Sequence, residues 1–146
     1  IRVMAWLNRG AAEVATRHDV RAGTDVTGYG LLGHLRSLAR ASGVGAEIDA
    51  DAVPLLEGAL ELAEAGHVPG GSRRNLTDLA DDVVWADGVP EGVRTLLGDA
   101  QTSGGLLLCV PPDRVGALVE ELDGQAATAA VVGRIVERGP AAVTVL

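Results

Sequence analysis

Five consecutive apolar residues, Leu106-Leu107-Leu108-Cys109-Val110, lie between a glycine pair (Gly104-Gly105) and a proline pair (Pro111-Pro112). A continuous apolar run of this length predicts a central strand buried on both faces. The prolines stop the strand and start a helix in which Val115, Leu118, Val119 and Leu122 recur at spacings of three and four. Helical periodicity also marks Arg2 to about Arg17, with Val3, Leu7, Ala11 and Val14 on one face. A second helix gathers Leu31, Leu32, Leu35, Leu38 and Ala39, and Gly43 closes it. Pro54 is expected at the first turn of a third helix carrying Leu55, Leu56, Ala59 and Ala63.

Short strands are expected at Val20 to Val26, Val44 to Ile48 and Asp82 to Trp85, with a short helix at Glu91 to Leu97. His67 to Asn75 has the composition of an ordered loop. The end of the chain predicts a hairpin: Ala130 to Glu137, a Gly139-Pro140 turn, then Val143 to Leu146. Strands and helices mix without strict βαβ alternation. That predicts an α+β fold, a single mixed or antiparallel sheet with helices packed on it. The 146 residues fit one domain, 1–146. Because Ile1 falls inside a predicted helix, the chain is expected to be a fragment or processed product.

Composition narrows the chemistry. At 47% apolar the chain can build a core, yet no run approaches the roughly 18 residues of a membrane span. Nor does its start read as a secretory signal. All 12 basic residues are arginine. The lack of lysine excludes Schiff-base chemistry and a phosphate-loop lysine within this chain. A net charge of −8, no basic stripe, two Trp and one Tyr argue against nucleic-acid binding. The single cysteine, Cys109, forbids an internal disulfide, and a reducing cytoplasm is expected.

Three segments carry candidate chemistry. Thr24-Asp25-Val26-Thr27-Gly28-Tyr29-Gly30 joins a strand-end carboxylate to glycines and a helix start. Such a start offers unpaired N–H groups to an anion, and the carboxylate could hold Mg²⁺. Equally, Thr27 or Asp25 could simply cap the helix. Gly70-Gly71-Ser72-Arg73-Arg74-Asn75 could wrap a phosphate or be a solvated loop. Asp99-Ala100-Gln101-Thr102-Ser103-Gly104-Gly105 could form an anion nest or a tight turn into a strand. His34 reads as a helix-surface or satisfied core histidine, and His18 and His67 show no metal-ligand spacing. Cys109 reads as a small hydrophobe.

The wording and order of these segments carry more than each alone. Thr24 to Leu35, Val68 to Asn75 and Gln101 to Leu107 resemble the selenophosphate synthetases (selenide, water dikinases). The similarity runs from the Leu7-Asn8-Arg9 helix to the Val132-Gly133 strand. A Thr-Asp-x-Thr-Gly stretch alone would suggest only the wider superfamily, with aminoimidazole ribonucleotide synthetase, the hydrogenase-maturation dehydratase and thiamine-phosphate kinase. The resemblance implies a carboxy-terminal α+β domain that closes over an ATP site, its amino-terminal ATP-binding half being absent. It implies a reaction from ATP, selenide and water to selenophosphate, AMP and phosphate with Mg²⁺, in a homodimer of the full protein.

The family's reactive Cys or selenocysteine and its Lys lie near the amino terminus of the complete enzyme, and neither is in this chain. By the same resemblance Asp25 is a Mg²⁺ ligand. Thr27, Gly28, Ser72, Arg73, Asn75, Gln101, Thr102 and Ser103 are candidates for anion or phosphate contact. Tyr29 stands where the family usually has Phe, and Ala100 where it usually has Pro. A different superfamily enzyme such as aminoimidazole ribonucleotide synthetase, or a non-catalytic assembly module, are the competing expectations.

Overall fold

The structure, a computed structural model, describes residues 3–125 and 128–146. The helices are α1 (Arg9–Arg17), α2 (Gly30–Ser42), α3 (Ala59–Glu64), α4 (Gly70–Leu79), α5 (Glu91–Leu97) and α6 (Val115–Leu122). The strands are β1 (Ala22–Asp25), β2 (Gly45–Ile48), β3 (Val83–Trp85), β4 (Leu106–Cys109), β5 (Gly133–Val136) and β6 (Val143–Val145). The α+β class is as expected, but the strands divide into two sheets. One is an antiparallel β1-β4 ribbon; the other has the order β3-β6-β2-β5.

Strand alternation builds the main core. Ala46 and Ile48 of β2 sit opposite Val143 and Val145 of β6, which in turn oppose Val83 and Trp85 of β3. All point to the face covered by Leu32, Leu35 and Ala39 of α2, with Leu79 and Leu97 beside them. Leu32 and Leu97 are among the largest fully buried side chains. Each such leucine stabilises the fold by roughly 1.5–3 kcal/mol through burial. A smaller cluster joins Ala11 and Val14 of α1 to Leu118 and Leu122 of α6. Gly43 ends α2 at φ 69°, as its position predicted.

Several expectations are corrected. β4 is not a central strand: among the described residues it pairs only with β1, and it is half-buried. Its run is apolar on both faces because the ribbon lies between the two clusters, Leu107 packing on the larger and Leu106 and Val110 on the smaller. The carboxy-terminal hairpin does not form, since β2 inserts between β5 and β6, antiparallel to one and parallel to the other.

His67 to Asn75 is largely helical. Extended Pro69 sets up the first turn of α4, and Leu76 and Leu79 give that helix apolar contacts. Pro54 opens no helix: Val53 before it is extended, as a pre-proline residue prefers, and α3 begins only after Gly58. The first helix starts at Arg9, preceded by a 3₁₀ turn at Val3–Ala5, and Leu7 is 74% exposed. Asn8 diverts the chain there, its side chain donating to the Gly104 carbonyl. Arg2 lies outside the described residues.

At the α1–α6 contact the exposed Glu121 accepts from His18 and Arg17, each at 2.7 Å. The His18 bond first, then the Arg17 bond, hold its carboxyl below its ordinary value of 4.5. A depressed folded value stabilises the fold above 4.5, and that contribution fades as pH falls through 4.5 and the folded value. Wild type should therefore exceed Glu121→Gln modestly in urea midpoint near neutrality. The two midpoints should converge below both values, which a pH series of urea titrations measures.

Candidate functional site

The three segments, distant in sequence, meet at one place. β1 ends at Asp25, and Val26 continues the ribbon by donating its N–H to the Gly105 carbonyl at 2.9 Å. Gly104 N–H returns a bond to the Val26 carbonyl at 3.0 Å. This approach needs a glycine, because a Cβ at residue 104 would lie 2.3 Å from that carbonyl oxygen. The Thr27 carbonyl then accepts from the N–H groups of Gly30 and Gln101, each at 3.0 Å. Thus the Thr-Asp-Val-Thr-Gly turn and the Gln-Thr-Ser-Gly-Gly turn form one backbone-paired unit.

Helix α2 leaves from this unit. Gly30 has φ 68°, and a Cβ there would meet Gly98 carbonyl carbon at 2.6 Å and oxygen at 2.7 Å. Neither Thr27 nor Asp25 caps the helix: Tyr29 occupies the N-cap position with no side-chain cap bond. Instead Thr27 N–H donates to His34 Nε2 at 3.1 Å, and Thr27 Oγ1 lies 3.1 Å from the same nitrogen. A backbone N–H can only donate, so Nε2 presents its lone pair and the imidazole proton sits on Nδ1. His34 is thus a satisfied histidine that holds the turn, with the exposed Tyr29 ring edge-on to it at 5.7 Å.

Helix α4 closes the third side. Ser72 has no exposed surface; its hydroxyl donates to Asp99 Oδ1 and accepts from Ala100 N–H at 3.3 Å. Gln101 Nε2 donates to the other carboxylate oxygen of Asp99 at 3.1 Å. Asn75 Nδ2 donates to the carbonyls of Gly28 at 2.9 Å and Gly98 at 3.0 Å. Ser72 and Asn75, expected as anion contacts, therefore commit their donors inside the chain. Arg73 is exposed, its guanidinium 3.5 Å from the Gly66 carbonyl. Thr102 and Ser103 are exposed on the third segment, as is Gly28 on the first.

Asp25 is exposed and belongs to none of the ion pairs among the described residues. No group of three or more His, Cys, Asp or Glu side chains that could hold a metal occurs among the described residues. Within this chain Asp25 could therefore be one ligand of a metal, not a complete set. Cys109, inside β4, has its thiol pushed up by burial, which favours the protonated form. Among the described residues no helix is long and apolar enough to cross a membrane.

Asp99 is the positioning group that sequence reasoning missed; His34 is satisfied, as one of its two expected readings had it, but its partner was not foreseen. Asp99 stands two residues before Gln101, but nothing local signals its pairing with Ser72, 27 residues away. His34 falls seven residues after Thr27, a spacing that becomes informative only once the turn is known to fold back on α2.

The comparisons agree with this architecture. Residues 4–146 match the family described as AIR synthase related protein, C-terminal domain, and the chain belongs to that family. Curated relatives similar to the chain include selenide, water dikinases. The one from Clostridioides difficile is 39% identical over 147 residues, covering 100% of this chain and 42% of that protein. That from Rhizobium meliloti is 47% identical over 116 residues, covering 80% of this chain and 33% of that protein. The chain thus spans about two-fifths of the length of such relatives. The crystal structure of Escherichia coli HypE superposes with a TM-score of 0.60 at 17% identity, covering 94% of this chain and 42% of that one. At that identity the likeness establishes the fold alone.

The glycines of the site separate into two kinds. Gly30→Ala should destabilise the chain by about 2 kcal/mol or more, because it adds both a left-handed strain and a backbone clash. Gly28 has nothing within 4 Å of an added Cβ and no positive φ, so Gly28→Ala should change stability by less than about 0.5 kcal/mol. Urea denaturation of both variants checks the pair.

Proposed function

We propose that the chain is the carboxy-terminal domain of a selenide, water dikinase. With an ATP-binding half it converts ATP, selenide and water to selenophosphate, AMP and phosphate, as a cytoplasmic homodimer. The observation that supports this best is the convergence of the three family-like segments into one hydrogen-bonded unit. The dikinase relatives over the same span support it independently.

In this reading Asp25 would hold Mg²⁺, with its remaining ligands from nucleotide phosphates and from acidic side chains of the ATP-binding half. The exposed carboxylate at the end of β1, outside the described ion pairs, suits that role. Bound Mg²⁺ supplies charge neutralisation for the phosphates, and it prefers oxygen ligands. The chain's own contribution is placement. Thr27, Gly28 and the Gln101 turn form a wall beside Asp25, held by the backbone bonds of the Thr27 carbonyl and by the side chains of His34 and Asn75. The exposed hydroxyls of Thr102 and Ser103, the open face of Gly28 and the exposed guanidiniums of Arg73 and Arg74 on α4 are groups available to meet a phosphate. Having no lysine and only a protonated, part-buried Cys109, the chain by itself turns over no ATP in this reading.

Two measurements test the proposal. The purified chain alone should release no AMP from ATP, with or without selenide; selenide-dependent release would sink the reading. In the complete enzyme, Asp25→Asn should lower selenide-dependent AMP formation by at least ~100-fold at unchanged melting temperature, the scale of losing a charged partner of the reacting phosphates. Activity near that of wild type would show that Asp25 binds no metal.

A further inference from the structure

We propose that Asn75 is a positioning residue that fixes the spacing between the Thr27–Gly28 turn and the Gly98–Gln101 turn. The catalytic consequence, though not the spacing itself, rests on the function proposed above. Asn75 sits half-buried on α4, and its amide nitrogen donates to the Gly28 carbonyl at 2.9 Å and the Gly98 carbonyl at 3.0 Å. The acceptors are 47 and 23 residues away in sequence, on opposite sides of the joined turns. Among the described hydrogen bonds no other side chain spans both turns: Ser72 reaches only Asp99 and Ala100, and His34 reaches only Thr27.

An amide nitrogen has two hydrogens, and here each has a carbonyl partner. The orientation of the group is therefore determined, because reversing it would face Oδ1 against two carbonyl oxygens. With both hydrogens committed, Asn75 has no donor left for an anion, and its remaining oxygen would repel one. This separates a positioning role from direct phosphate contact. Neutrality also matters, since Asp99 stands on one of these turns and Asp25 two residues before the other. The isosteric carboxylate of Asn75→Asp would have no donor and would set a third negative group against both carbonyls.

The test uses Asn75→Asp and Asn75→Ala, the second losing the donors without adding charge. In the chain, hydrogen exchange should rise about tenfold or more in peptides spanning 26–30 and 98–101, with β2 and β6 unchanged. In the complete enzyme kcat should fall about 10- to 100-fold, the effect of a small misplacement, while KM for ATP stays within about twofold. Wild-type exchange at both turns in both variants would overturn the proposal. A raised KM with unchanged kcat would also overturn it, in favour of direct phosphate contact. Global unfolding of both variants would do so too, placing Asn75 in the fold's core support. If the wild-type enzyme forms no AMP with selenide, the proposed function fails, and exchange at the two turns alone decides the role of Asn75.

Discussion

Helix α2 starts where it does only because residue 30 has no side chain. Gly30 adopts φ 68° and packs its α-carbon onto the carbonyls of Gly98 and Asp99, an approach that any Cβ would block. From that contact follow the two alignments on which the rest depends. The Thr27 carbonyl comes within reach of Gln101 N–H, and α2 is aimed so that Leu32, Leu35 and Ala39 cover the β3-β6-β2-β5 sheet. The site and the main core share one anchor. A shift of α2 large enough to relieve a side chain at residue 30 would disturb both together.

Around that anchor the polar groups are matched internally. Asp99 receives Ser72 and Gln101, Asn75 serves two carbonyls, and His34 accepts from Thr27. No buried side-chain nitrogen or oxygen among the described residues lacks a partner. Leaving one such group unpaired costs about 1–3 kcal/mol, so the network resists removal of any single member. It also leaves few groups free for a ligand. Among the groups that face outward are Asp25, Gly28, Thr102 and Ser103 on the joined turns and Arg73 and Arg74 on α4.

Much of this was legible in the sequence, for identifiable reasons. Helices with a sustained apolar stripe, such as Leu32-Leu35-Ala39, declare themselves because one neighbour dictates the period. The Leu106–Val110 run misled because its two faces serve two different clusters, and a local pattern cannot distinguish that from the centre of one sheet. Helix α4 was hidden by Gly70 and Gly71, poor helix formers whose conformation is set by Pro69 and by contacts elsewhere. The β5–β6 hairpin failed because β2, distant in sequence, lies between the two strands, a placement no local pattern can show. At the site, residue types and order gave the segments and the family. They could not reveal that Ser72 and Asn75 face inward, because burial there depends on Asp99 and Gly98, more than twenty residues away.

Gly28 shows how a site is divided between a fold and what the fold meets. A glycine required by its own chain betrays itself through a positive φ or a crowded Cβ direction, as Gly30 and Gly104 do. Gly28 has neither: its carbonyl is tied to Asn75, yet the space where a side chain would grow is empty. The energy of this fold therefore gives no reason for a glycine there. In the proposed reading the reason would come from outside the chain, the open space at residue 28 being left for a phosphate held near Asp25. A methyl group would hold it off without disturbing anything beneath. The same logic explains why a single carboxylate suffices. A metal that shares its oxygens with a nucleotide and a second protein surface needs from this domain one charge at a fixed point. Fixing that point is what the surrounding backbone bonds accomplish.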